Sequence, residues 1–149
     1  HNGSKTLHPV IHLHLLGSDH TIFLQKRALT KLVQPGKWDT AVGGHLAYGE
    51  TIEEALKREA MEEIGLQDFE AKPVLKYRWN SDVESELVYC FIALGGRPNA
   101  VSSEEISEGK FWKISEIERN LGKNLFTPNF EHEFQLLKKG GILNFRLKN

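Results

Sequence analysis

The stretch "GHLAYGETIEEALKREAMEEIGL", residues 44–66, decides how this chain is read. Its second half is a helix by every local signal. Thr51 followed by Glu54 forms a capping box, Glu53 and Glu54 suit the positive end of the helix dipole, and Gly65 is a stop. The predicted helix, Thr51 to Ile64, carries Glu59, Glu62 and Glu63 on one side. Like charges at i, i+3 and i+4 repel by roughly 0.2–0.5 kcal/mol per pair on an exposed helix. A solvated face would mix in lysines, whereas a divalent cation would turn the repulsion into attraction. Before the helix stand Gly43 and Gly44, where backbone can approach a ligand closely and offer carbonyl oxygen. Oxygen-only ligands favour Mg²⁺ or Mn²⁺ over zinc, and magnesium usually completes its shell with water and substrate phosphates. Arg58 is placed to hold a carboxylate through a bidentate pair. The competing interpretation of these acids is a plain solvent-facing helix.

The rest of the chain sets the frame. Its 149 residues suit one domain with a proper core. With 40% hydrophobic and 26% charged residues it has an ordinary globular composition, and the net charge of -1 gives no global pull toward nucleic acid or anionic membrane. The single cysteine, Cys90, excludes an internal disulfide. No apolar run approaches the ~18 residues of a membrane-spanning helix, and a soluble, cytoplasmic protein is the expectation. The first residue is His1 rather than Met, so the native N-terminus is expected upstream.

Alternation predicts a strand from His8 to Leu16 and a hairpin partner at "TIFLQKR". "WDTAVGG" reads as one short strand after the Pro35-Gly36 turn. "FEAKPVLKYRW", "SELVYCFIAL" and "GKFWKI" are three more. "SEIERNLG" is a short helix capped by Ser115, and "TPNFEHEFQLLKKG" a C-terminal helix with Thr127 as cap, Pro128 first and Gly140 as stop. The order β-β-β-α-β-β-β-α-α predicts an α/β fold, a mixed sheet with helices on both faces.

Gly44, Glu50, Arg58-Glu59, Ala60, Glu62-Glu63 and Gly65-Leu66 match the pattern G-x5-E-x7-R-E-U-x-E-E-x-G-U, where U is apolar. The chain therefore resembles the Nudix hydrolases. Ala60 is smaller than the usual branched aliphatic. The resemblance implies a Nudix-type α/β/α sandwich and Mg²⁺- or Mn²⁺-dependent hydrolysis of a small diphosphate, such as a nucleoside diphosphate derivative. It implies that Glu59, Glu62 and Glu63 bind metal with the Gly44 carbonyl, and that Glu50 and Arg58 brace loop and helix. A catalytic base is implied at Glu59, or in "SSEEISEGKFW", where Glu105 is preferred to Glu104 and Glu108.

Residues outside this box resemble the isopentenyl-diphosphate isomerase branch. "LQKRALTKLVQPGKWDTAVGGH" follows its Q-x-R-x3-K, P-G-x-W and G-H pattern, which implies Arg27 and Lys31 as diphosphate ligands. A second metal site is implied at His1, His8, His45, Glu84 and Glu86. His12 and His14 match nothing in the pattern and are read as strand surface or core. The isomerases' catalytic cysteine stands where this chain has Gly43, and Cys90 lies in a different strand. The acids that isomerases have lost are intact here. Hydrolysis is the expectation, with isomerisation or a catalytically silent nucleotide-binding module as alternatives. Trp38, Tyr77, Trp79 and Trp112 are candidates for stacking on a planar group. No nucleic-acid polymer or membrane partner is expected, while dimers are common among the proteins resembled and a homodimer is an open expectation.

Overall fold

The computed structural model describes residues 7–81, 85–99 and 106–144. Strand β1 (Leu7–Gly17) is the spine. One edge pairs in parallel along its length with β6 (Ser85–Leu94), which pairs antiparallel with β5 (Ala71–Asn80). The other edge is shared. Leu15–Gly17 pair with β2 (Thr21–Arg27), and Val10–Leu13 pair with β4 (Val42–His45). Strand β2 lies between β3 (Trp38–Thr40) and β7 (Ile106–Lys113).

Alternation along β1 sorts its side chains onto two faces. Ile11, Leu13 and Leu15 join Ala55, Leu56, Ala60 and Ile64 of helix α1 (Ile52–Ile64) in one core. Val10 and Leu16 face the opposite core, with Ile117 of α2 (Ile114–Asn120) and Phe130, Phe134 and Leu137 of α3 (Pro128–Lys139). The result is the expected sandwich, a mixed sheet between helices. Ala60 is wholly buried against the sheet, so its small side chain lets α1 seat close to the strands.

Two of the three predicted N-caps, Thr51 and Thr127, hold. Thr51 Oγ1 accepts from the Glu54 N–H (3.1 Å), and the Glu54 carboxylate accepts from the Thr51 N–H (2.9 Å). Gly65 takes the left-handed conformation that ends α1. Thr127 caps α3 at the Phe130 N–H (3.2 Å).

Three expectations need correction. "WDTAVGG" is two strands, because the chain changes partner at Ala41 from β2 to β1 while the Ala41 carbonyl accepts from Gln25 Nε2 (2.9 Å). Strand β7 begins at Ile106, three residues before the "GKFWKI" stretch, extending its pairing with β2 to Arg27. Helix α2 begins at Ile114, so Ser115 is inside it. Its N-cap is Lys113, whose N–H donates to the Glu116 carboxylate (3.1 Å), and the Ile114 N–H donates to the His20 carbonyl (2.9 Å).

Candidate active site

A cleft of about 1150 Å³ opens where β2 and β4 part along the edge of β1. Gln25, Arg27, Lys31, Gly43, Gly44, His45, Glu59, Glu62 and Glu63 line it on the side of α1. Trp79, Glu86 and Asn129 line it on the far side.

The acids of α1 are held from the loop in front of them. Arg58 forms a bidentate pair with Glu50, Nε to Oε2 at 2.7 Å and Nη2 to Oε1 at 2.9 Å. Its Nη2 also donates to the His45 carbonyl (3.3 Å), and Nη1 donates to Glu59 Oε1 (2.6 Å) and Glu62 Oε2 (3.2 Å). Glu50 Oε1 accepts from the Ala47 N–H (2.8 Å), which closes the loop. The hydrogen bonds from Arg58, then that from Ala47, pull the Glu50 carboxyl down to about 2. One guanidinium thus ties the strand end, the loop and two of the three helix acids.

Gly44 has a steric reason to be glycine. A Cβ built there would lie 1.5 Å from Glu59 Oε2, so the carboxylate rests directly on the backbone of β4. Glu63 is held by Gln25 Nε2 (2.8 Å) and faces the Gly43 N–H (3.4 Å), both at Oε1. Its other oxygen, Oε2, is buried with no hydrogen-bond partner. Burial first, and the adjacent Glu59 carboxylate after it, push Glu63 up to about 8 against the opposing pull of Gln25. Burial likewise raises Glu59, against the nearby Arg58 charge. A carboxylate oxygen without a donor, beside a second carboxylate of raised pKa, has the chemistry of a cation ligand pair. Glu62 is 59% exposed and reaches the same cleft from one turn away. The donor set, all oxygen, fits Mg²⁺ or Mn²⁺.

A NUDIX domain model matches residues 6–133 of the chain. The chain belongs to the Nudix hydrolase family. An isopentenyl-diphosphate Delta-isomerase of Photorhabdus laumondii is 29% identical over 142 residues, covering 90% of this chain and 81% of that protein. An uncharacterized Nudix hydrolase of Pseudomonas aeruginosa is 36% identical over 101 residues, 65% of this chain and 57% of that one. The crystal structure of a MutT Nudix hydrolase from Burkholderia pseudomallei superposes with a TM-score of 0.73 at 18% identity, covering 88% of this chain and 98% of that one, which shows the shared fold. These relatives set the chain in the isomerase-like branch of the Nudix family.

The remaining expected site residues fall into place unevenly around the Nudix box. Arg27 and Lys31 both line the cleft, and Arg27 also donates from Nε to the Val33 carbonyl (3.0 Å) and faces Asp39 at 3.8 Å. Of the second metal set, His8 and Glu86 are register partners on β1 and β6. The His8 and His45 ring centroids are 5.9 Å apart, and His45 Nε2 is 3.6 Å from Glu86 Oε2. Those three residues converge; His1 and Glu84 lie outside the described residues, as do Glu104 and Glu105. Glu108 is exposed on β7. Ile106, the residue after Glu105, lines the cleft.

Among the four aromatic candidates, Trp79 lines the cleft. Trp38 and Trp112 are buried against one another, ring centroids 5.2 Å apart, and belong to the core. Tyr77 is engaged behind the cleft wall, where its hydroxyl donates to Glu133 Oε1 (2.5 Å).

That contact belongs to a network that escaped the sequence reading. Glu133 of α3 is wholly buried, and four side chains donate to it. His12 Nδ1 (2.8 Å) and Tyr77 reach Oε1; His14 Nε2 and Cys90 Sγ (3.4 Å) reach Oε2. Burial alone would raise the Glu133 carboxyl, but His12 and His14 hold it well below its ordinary value. Burial likewise opposes charge on His12, yet Glu133, with help from Asp39 and Glu86, lifts its imidazole to about 9. His14, Cys90 and Glu133 present ligand atoms within 4.8 Å of one another. Both oxygens of the carboxylate are already taken by donors, while His14 Nδ1, on the far side of its ring, is buried with no hydrogen-bond partner. His14 is core, as one of the two expectations for it held, whereas His12 is at the cleft wall. A signal existed: Glu133 falls on the apolar stripe Phe130, Phe134, Leu137 of α3, where a lone acid requires a partner.

Proposed function

We propose that this Nudix enzyme is a Mg²⁺- or Mn²⁺-dependent pyrophosphohydrolase acting on a nucleoside diphosphate derivative or a similar small diphosphate. The observation that carries the reading is the partnerless, buried Glu63 Oε2 beside a Glu59 carboxylate seated on Gly44. Glu59, Glu62, Glu63 and the Gly44 carbonyl are the residues that would hold the ion. A bound divalent ion supplies positive charge to phosphate oxygens and acidifies the attacking water. The chain's own residues do the rest. Arg58 and Glu50 fix the loop against the helix, and Gln25 orients Glu63. Arg27 and Lys31 offset diphosphate charge at the cleft wall, and Trp79 offers a face to a planar group. Glu105, or Glu59 if free of the ion, takes the proton from the water that attacks phosphorus. His8, His45 and Glu86, with His1 and Glu84, form a second metal site in this proposal.

Isomerisation of isopentenyl diphosphate is the second reading, favoured by what the Photorhabdus relative is named. Two observations weigh against it. Gly43 has no side chain to carry a proton, and Cys90 is wholly buried and bonded to Glu133. The test is a diphosphate library incubated with Mg²⁺ and Mn²⁺ side by side. Phosphate-containing products are expected, with turnover falling by about two orders of magnitude or more in Glu62→Gln and Glu63→Gln. Unchanged rates in both variants contradict the mechanism, and proton exchange into isopentenyl diphosphate would restore the isomerase reading.

A further inference from the structure

Gly43 joins two parts of the cleft. Its N–H faces Glu63 Oε1 at 3.4 Å, and its Cα is covered by the His12 ring from the neighbouring strand, its register partner. A Cβ at Gly43 would sit 3.3 Å from His12 Cδ2 and 3.6 Å from Nε2, so a side chain there would press on the imidazole and shift it by a few tenths of an ångström. The ring cannot turn freely. Nδ1 is fixed by Glu133, and Glu133 is saturated by Tyr77, His14 and Cys90. Asn129 Nδ2 in turn donates to the Tyr77 hydroxyl (2.9 Å). With Nδ1 committed inward, the Nε2 edge is the one presented to the cleft that His12 lines, and the side chain is 13% exposed there. The Glu133 side chain behind it is fully buried. A buried carboxylate that fixes one imidazole nitrogen leaves the other as a directed donor, which suits an anionic acceptor.

We propose that His12 is a ligand of the substrate's diphosphate, donating from Nε2 to a phosphate oxygen beside the acids of α1, with Glu133 as its positioning residue. The inference rests on the pyrophosphohydrolase reading, and it adds a recognition residue outside the Nudix box. It also gives Gly43 a positive role, since any side chain there would crowd the ring.

The probe is inorganic pyrophosphate with Mg²⁺, titrated calorimetrically into the wild type, His12→Ala and His12→Gln. We expect affinity for pyrophosphate to weaken by about tenfold or more in both variants, the scale of one lost charge-assisted hydrogen bond. Uptake of Mg²⁺ alone should be unchanged in both. Glu133→Gln should raise KM for a turned-over diphosphate more than it lowers kcat. A measurement on the wild type guards against variants that fold poorly: the ¹⁵N resonance of His12 Nε2 should shift when Mg²⁺-pyrophosphate is added, while that of His14 stays. Wild-type affinity in both His12 variants, or a His12 resonance that does not move, overturns the proposal alone. A wild type that takes up no pyrophosphate in the presence of magnesium overturns the pyrophosphohydrolase reading with it.

Discussion

At Gly44 the tolerance for change is smallest, because a single methyl group would occupy the Glu59 carboxylate. Gly44→Ala is therefore expected to displace that carboxylate and cut kcat/KM by about 10²-fold, the usual effect of an ångström-scale misplacement. Circular dichroism should show the fold intact, since the clash is with the end of one side chain. A variant with wild-type kcat/KM would remove Glu59 from the site. Arg58 sets a second condition. Lysine keeps the charge but not the planar fork that grips both Glu50 oxygens. Arg58→Lys should lose activity nearly as far as Arg58→Ala, and steady-state kinetics on the two variants checks this. These residue-scale features were open to reading from the sequence because they are local. The carboxylate spacing, the glycines and the capping box all lie within residues 44–66. Gly43 was legible only as a missing proton carrier, whereas its effect on His12 needs the register of two strands.

Between elements, β1 and α3 are tied by a charge pair that packing alone would not require. His12 and Glu133 are 121 positions apart, and no local pattern links them. The same distance explains why the His12-Glu133 contact was missed while both parent elements were predicted nearly to the residue. The split of β3 from β4 was missed for a related reason: alternation continues through Ala41, and only the change of partner strand divides it. Removing Glu133 would leave four donors facing a hole in the core. Glu133→Ala is expected to cost about 3–5 kcal/mol in a denaturant melt, the range for breaking a buried ion pair. The pair also contributes to the pH profile of the metal-free protein. His12 is raised from 6.5 to about 9, so its contribution is complete below about 6.5 and is lost as pH rises through about 9. Glu133 is held below its ordinary 4.5, so its contribution is present above that value and is lost as pH falls through its lowered pKa. Glu63, raised from 4.5 to about 8, adds a contribution that is lost as pH rises through about 8. Thermal melts should therefore be highest near pH 4.5, decline toward pH 9, and decline less steeply above pH 6.5 in His12→Gln. An unchanged alkaline slope in that variant would mean that His12 does not carry it.

For the molecule as a whole, the sandwich brings a strand edge, a loop and a helix together so that repulsion among acids is concentrated in one cleft. Each helix faces one side of the sheet, and the cleft opens at the shared edge of β1, where two partner strands leave a gap. No helix among the described residues is long and apolar enough to cross a membrane. Fold class and family were legible because hydrophobic alternation and the Nudix box are both explicit in the chain. The substrate was not, since the cleft's far wall is assembled from β5, β6 and α3, whose residues meet only on folding. The central claim is that Glu59, Glu62 and Glu63 are gathered to hold a divalent ion. Calorimetric titration of Mn²⁺ into the wild type and Glu63→Gln, with and without pyrophosphate, tests it most directly. Saturable uptake by the wild type is expected, tightened by pyrophosphate and weakened at least about tenfold in the variant. No uptake under either condition, or equal uptake by the variant, would contradict it.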